Sequence, residues 1–166
     1  MGNPKYEQGK GEALHRRSLY TYWKRTVPPP AMITFDAAER NVCIVRRQTT
    51  STPLQALVLL NDTQMIETAR LVSQRMLKEG GPSLSQQVAW AFRLVTGRKP
   101  TSKETGVLEK IFMEQRILFA SDSEAALKLL AVGEAKNDGA LDRADLAAGT
   151  ILAEALLNHD EAVMRR

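Results

Sequence analysis

The chain has 166 residues, of which 43% are hydrophobic and 25% charged, with a formal net charge of +4 and a pI near 9.4. That is the length of one domain, able to bury about two thirds of its unfolded surface without a disulfide framework or a structural metal, and the single Cys43 excludes a disulfide scaffold outright. The balance also excludes a disordered acidic tail and a collagen-like repeat, and the longest apolar run, Ala56 to Leu60, falls far short of the roughly 20 residues of a membrane helix.

In chain order, residues 1–10 are polar, carry Gly and Pro, lack the apolar stretch of a signal peptide, and read as a loose entry segment. Residues 11–166 are expected to form a single helical domain. A first helix is predicted from Gly11 or Glu12 to about Trp23, with Leu14, Leu19, Tyr22 and Trp23 on a partly apolar face and Arg16, Arg17, Lys24 and Arg25 around it. Pro28, Pro29 and Pro30 end it, because each fixes φ and lacks an amide hydrogen; the triplet reads as a polyproline spacer or as a ligand for an aromatic groove. Ala31 to Asn41 follows, then Val42-Cys43-Ile44-Val45, whose length and β-branching favour an extended, buried run. Residues of about 27–50 thus form an extended Pro-rich and apolar segment.

Beyond it the start and stop signals are helical. Thr52 with Pro53 at the first helical position and Gln55 three residues on is a capping box, opening a short helix to Leu60. Asp62 caps the next helix, where Met65, Ala69, Val72 and Met76 share a face until Gly80-Gly81-Pro82. Ser83 caps another, with Leu84, Val88, Ala91, Phe92 and Val95 as its core stripe and Gly97 at the left-handed stop. Thr101 with Glu104, and Ser121 with Glu124, repeat the capping box ahead of helices near 102–119 and 122–133. After a polar loop over 133–140, Asp142 caps a last helix through about Leu157. The expectation is an all-α orthogonal or irregular bundle of six to seven helices.

A catalytic or metal-binding set does not emerge. His15 and His159 stand at opposite ends, no CxxCH or HExxH occurs, and Asn158, Asp160 and Glu161 lack the glycine-centred spacing of a calcium loop, so no metal or cofactor is expected in this chain. GKGEA over 9–13 lacks the spacing of a phosphate-binding loop and follows no strand. Cys43, flanked by aliphatics, reads as a buried thiol rather than a nucleophile.

Charge is uneven. Residues 1–50 carry a net +5, 51–100 a net +3 and 101–166 a net −4. A basic first part and an acidic last part either attract each other within the fold or leave a polyanion-binding face, and the separated pairs Arg16–Arg17, Lys24–Arg25 and Arg46–Arg47 favour the former. The most distinctive stretch is Ser18 to Arg25, where Tyr20, Tyr22 and Trp23 stand among cations. Such rings stack on bases or sugars while guanidiniums hold anions; the plainer expectation is that they pack into the core and the arginines pair with the acidic last third. Arg16, Arg17, Tyr22, Trp23, Lys24, Arg46 and Arg47 are the candidate binding residues, and nucleic acid is disfavoured because no reader motif accompanies the pI.

The strings RRSLYTYWKRTVPPPAMITFDAA from Arg16 to Ala38, VCIVRRQTTSTPLQALVLLND from Val42 to Asp62, AFRLVTGRKP from Ala91 to Pro100 and LAAGTILAEALLNHDE from Leu146 to Glu161 resemble the C-terminal domain, of unknown function, of large planctomycete cytochrome-c-associated proteins. His15, where that pattern has Tyr, and Gly149, where it has a larger residue, depart from it. The resemblance implies a larger, exported parent with an N-terminal haem-c-type segment and a second uncharacterised domain; the haem motif is not in this chain, so electron transfer is not implied for it. Two functions are therefore expected as alternatives. One is a non-catalytic module packing with or completing that extracytoplasmic protein, whose upstream domains are its partners and without which it self-associates. The other is a binding surface for an anionic polymer such as acidic or sulfated polysaccharide.

Overall fold

The computed structural model describes residues 5–24, 26–38, 43–46 and 48–163, and of His15 the backbone alone. Arg25, Val42 and Arg47, for which the sequence raises expectations, lie outside the described residues. Among these the chain is all-α, as expected, with eight α-helices and no strand: α1 (Pro30–Thr34), α2 (Pro53–Asn61), α3 (Thr63–Glu79), α4 (Leu84–Thr96), α5 (Ser102–Ser121), α6 (Ser123–Leu130), α7 (Arg143–Leu157) and α8 (Asp160–Val163). Two compact units are formed, Met1–Val58 and Leu59–Arg166.

The first unit departs from the predicted helix over 11–23. Two 3-10 turns, Gly11–His15 and Ser18–Tyr20, take its place, separated by Arg16 and Arg17 with extended backbones (ψ 145° and 142°). Leu19, Tyr22 and Trp23 keep helical spacing, but Leu14 is separated from them by the polar run His15 to Ser18, so no continuous apolar stripe rewards the i to i+4 ladder across the segment. Pro28 and Pro29 stand outside helix as expected, but Pro30 opens α1 at a position where its missing amide hydrogen costs nothing. Cys43 to Arg46 are exposed, so the buried-thiol expectation is corrected: Cys43 lies at the surface in a stretch that is neither helix nor strand among the described residues, and Ile44 and Val45 are exposed beside it. Among the described residues of this unit only Pro29 and Gln55 are buried.

What organises the unit is a polar knot. Asp36, held at φ 55°, accepts from the Thr50 amide at 2.7 Å and from the Thr50 hydroxyl at 2.8 Å, which ties together segments 14 residues apart. Gln55 Nε2 donates to the Thr34 carbonyl at 2.8 Å and to Thr50 Oγ1 at 3.2 Å. Its Oε1 accepts from the Thr52 amide while its own amide donates to Thr52 Oγ1, the predicted capping box of α2.

The second unit is built around α7, whose residues Leu146 to Thr150, Leu152 to Glu154 and Leu156 are buried. Helices α3, α4, α5 and α6 all pack on it. Met76, Val88, Ala91, Phe92, Leu108, Phe112, Ala148, Leu152 and Leu156 make one core, and Ala126, Leu130, Leu146 and Ala147 a second, with Leu77 reaching both. Gly149 lets α3 approach α7 closely: a Cβ there would fall on Ser73 Oγ, which donates to the Leu146 carbonyl at 3.0 Å. The expected stripe of α4 holds, whereas that of α3 is turned: Ala69 and Met76 are buried with Glu67, Arg70 and Ser73, while Met65 and Val72 are half-buried. Asp62, Ser83, Thr101 and Asp142 cap their helices as predicted, and Gly97 takes the left-handed stop at φ 81°. Ser121 does not cap; it closes α5 by donating to the Leu118 carbonyl at 2.7 Å, and Asp122 caps α6 through the Ala125 amide at 2.9 Å. A carboxylate one residue nearer the helix wins that role.

Candidate functional site

The basic and aromatic face of the first unit is where the sequence-derived candidates meet the structure. Side chains of residues 20–24 alternate: Tyr20 (67% exposed), Tyr22 (82%) and Lys24 face solvent, whereas Thr21 and Trp23 are half-buried. Tyr20 ends the second 3-10 turn, Thr21 is extended (φ −74°, ψ 129°), and the chain turns at Lys24, whose carbonyl accepts from the Val27 amide at 3.0 Å. Arg16 and Arg17 are exposed just upstream, and Arg46 is exposed on its own segment with no hydrogen bond or ion pair joining it to the others among the described residues; Arg47 lies outside those residues. Tyr20 and Tyr22 therefore do not pack into a core as expected. The second unit, for its part, uses its acidic residues itself: Glu79, Glu104, Glu114, Glu124, Asp138, Asp145 and Glu161 all pair with cations of that unit.

Two polar clusters of the second unit are not evident from the sequence. In the first, Glu67 and Arg70 of α3 hold the loop between α6 and α7 from both sides. Glu67 accepts from the Glu134 and Ala135 amides at 2.6 and 3.3 Å, and Arg70, 1% exposed, donates to the Val132 and Ala135 carbonyls at 3.3 and 2.8 Å and to Asn137 Oδ1. Gly133 (φ 94°) sits against Glu67, where any Cβ would strike the carboxylate. Burial pulls the Arg70 pKa down and the neighbouring Glu67 charge opposes this. In the second cluster, Arg98 lies over the Phe92 ring at 4.7 Å and donates to Glu104 (2.6 and 3.0 Å) and Glu161 (2.7 and 3.1 Å), which fastens α8 to the start of α5. That guanidinium, with the Thr101 amide and hydroxyl, holds the Glu104 carboxyl well below the usual carboxylate range. The signals are present as Glu67-x-x-Arg70 and Arg98 in GRKP, but the loop that Glu67 and Arg70 hold, and Glu161 among the partners of Arg98, are more than 60 residues away. Both clusters direct their charges to backbone and side chains of the fold.

Glu154, buried on α7, is pushed up by desolvation. A carboxyl whose folded pKa is raised contributes stability that is complete below its unfolded pKa and is lost as pH rises through the folded one. Glu154→Gln is therefore expected to melt higher than the parent at about pH 8 and to coincide with it below about pH 4. Calorimetric melting at the two pH values checks this, and an equal difference at both contradicts it.

An open groove of about 540 Å³ is lined by Met113, Ile117 and Ala120 of α5 with Ser123, Ala126 and Arg143 at the starts of α6 and α7. Among the described residues no cluster of three or more His, Cys, Asp or Glu could hold a metal ion, and no helix is long and apolar enough to cross a membrane.

Residues 2–112 match the PSD1 family, described as a protein of unknown function (DUF1553). The chain belongs to that family. None of the curated proteins and none of the solved structures matches it significantly. In this family member the matched stretch contains the basic and aromatic face, the polar knot and α2 to α4, and it ends within α5. The DUF1553 match thus takes in three of the four strings that carry the resemblance, while LAAGTILAEALLNHDE, which forms most of α7 and enters α8, lies beyond it.

Proposed function

We propose that this chain is a non-catalytic helical module that packs with, or completes, a larger extracytoplasmic protein of the planctomycete cytochrome-c-associated type, taking residues 11–166 as one domain of it. One observation carries the reading: among its described residues the first unit buries no hydrophobic residue other than Pro29 and exposes Leu19, Ile33, Ile44, Leu54 and Leu57, while Leu14, Trp23, Met32 and Phe35 are half-buried. Leu54, Leu57 and Leu60 form one exposed edge of α2, in a stretch from Gln48 to Asn61 that carries no charge. Apolar surface gathered in this way marks contact with another protein surface. The upstream domains of the parent are the partners, and self-association of the isolated chain is the corollary. Light scattering of the chain alone and mixed with the preceding portion of the parent tests this. Self-association relieved by a one-to-one complex is expected. A strictly monomeric chain indifferent to that portion contradicts it.

A second reading, a surface for an anionic polymer such as acidic or sulfated polysaccharide, is supported by the exposure of Arg16, Arg17, Tyr22, Lys24 and Arg46 and by the absence of these cations from the ion pairs among the described residues. It draws on charges that no ion pair compensates among the described residues.

A further inference from the structure

We propose that the groove between the end of α5 and the starts of α6 and α7 binds a single-chain amphiphile with an anionic head, of the medium-chain fatty-acid class. Its lining lies wholly within the second unit, so the site is independent of the basic face of the first. Met113, Ile117 and Ala120 follow one another along one face of α5 at steps of four and three residues, with Met113 44% and Ile117 66% exposed. Ala126 of α6 and Ala144 of α7 add to the apolar lining. An alkyl chain laid along these side chains removes their apolar surface, and its own, from water.

The polar groups of the groove select the head. Two cations, Arg116 and Arg143, and one carboxylate, Asp142, line it, which leaves a net charge of +1. Asp142 turns an oxygen to the Asp145 amide at 3.0 Å as the cap of α7. The carboxylates next to the lining are engaged too: Asp145 with Arg116 Nε, Asp122 with the Ala125 amide at 2.9 Å, and Glu124 with Lys128 at 2.7 Å. Arg143 is exposed, and its side chain makes no hydrogen bond or ion pair among the described residues. A carboxylate head thus meets a guanidinium fork free to take it in two hydrogen bonds, whereas a cationic head meets carboxylates that already have donors. Size selects the kind of occupant. About 540 Å³ falls within the roughly 300–1,000 Å³ of small-molecule sites, and ten lining residues are well short of the roughly 20–30 a side of a protein interface. A trough between three helices takes one chain rather than the flat surface of a bilayer.

Amide chemical-shift mapping by NMR on the full chain tests this with decanoate, hexanoate and decyltrimethylammonium, each below its micelle-forming concentration. Decanoate is expected to move amides within 113–126 and 142–145 saturably, and to bind about tenfold or more tightly than hexanoate, at about twofold per methylene in an open groove. It should bind about fivefold more tightly than decyltrimethylammonium. Ile117→Gln should weaken decanoate about fivefold, and Arg143→Gln about threefold while abolishing the preference over the cationic probe. Both side chains are exposed, so melting should not change. Equal binding of decanoate and decyltrimethylammonium, or a preference that survives Arg143→Gln, overturns the anionic head assigned to Arg143. Shifts confined to other parts of the chain, or an affinity indifferent to Ile117→Gln, overturn the groove as the site. Decanoate that moves no amide saturably overturns the proposal as a whole.

Discussion

Arg70→Met is expected to destabilise the second unit by about 3–5 kcal/mol, measured by urea denaturation near neutral pH. The side chain is 1% exposed and its fork answers the Val132 and Ala135 carbonyls and Asn137 Oδ1, so a thioether of similar length leaves all three acceptors without their donor. It also leaves the buried Glu67 carboxylate without its neighbouring cation. Arg70→Lys should recover little, because one ammonium cannot reproduce a planar fork reaching three oxygens. Combining Glu67→Gln with Arg70→Met should cost less than the two single changes together, since both act on the same loop. A loss below about 1 kcal/mol for Arg70→Met would show that the loop between α6 and α7 is held by something other than this clamp.

The second large effect turns on a sign. On helix propensity alone Gly149→Ala should stabilise α7 by about 1 kcal/mol. The structure reverses that expectation, because the new Cβ would land on Ser73 Oγ and come within 3.0 Å of Met76 Cε and 3.2 Å of Ser73 Cβ. Ser73 is completely buried and tied to the Leu146 carbonyl at 3.0 Å, so it cannot swing aside without giving up that bond. A net loss of about 1–3 kcal/mol is expected, as for other overpacked cores. Ser73→Ala in the Gly149→Ala background should restore part of it by removing the obstructing oxygen. Stabilisation by Gly149→Ala alone would mean that α3 and α7 are not closely packed there.

The contrast between these residues and the caps shows what is legible in the sequence. Thr52 with Gln55, Asp62, Ser83, Gly97, Thr101 with Glu104, and Asp142 act on amides or carbonyls within four residues, so the neighbouring residue types suffice to assign their roles. All-α architecture follows from the same local signals. Arg70 and Ser73 cannot be read in this way, because what buries them is a loop and a helix some 60 to 70 positions further along. The stripe of α3 departs from expectation for the same reason: periodicity names a face, and the partner decides which side of it turns inward. In the first unit the candidate residues are identifiable by type, but the two 3-10 turns, the surface position of Cys43 and the outward turn of Tyr20 and Tyr22 depend on the lack of a buried apolar stripe, which composition does not reveal.

That lack is also what the functional account stands on, and amide hydrogen exchange on the isolated chain tests it most directly. Buried helices packed on α7 should protect amides between Ala69 and Leu156, whereas residues 5–58 should exchange with little protection and gain it when the preceding portion of the parent is added. Strong protection of residues 5–58 in the isolated monomeric chain, unchanged by that addition, would contradict the account.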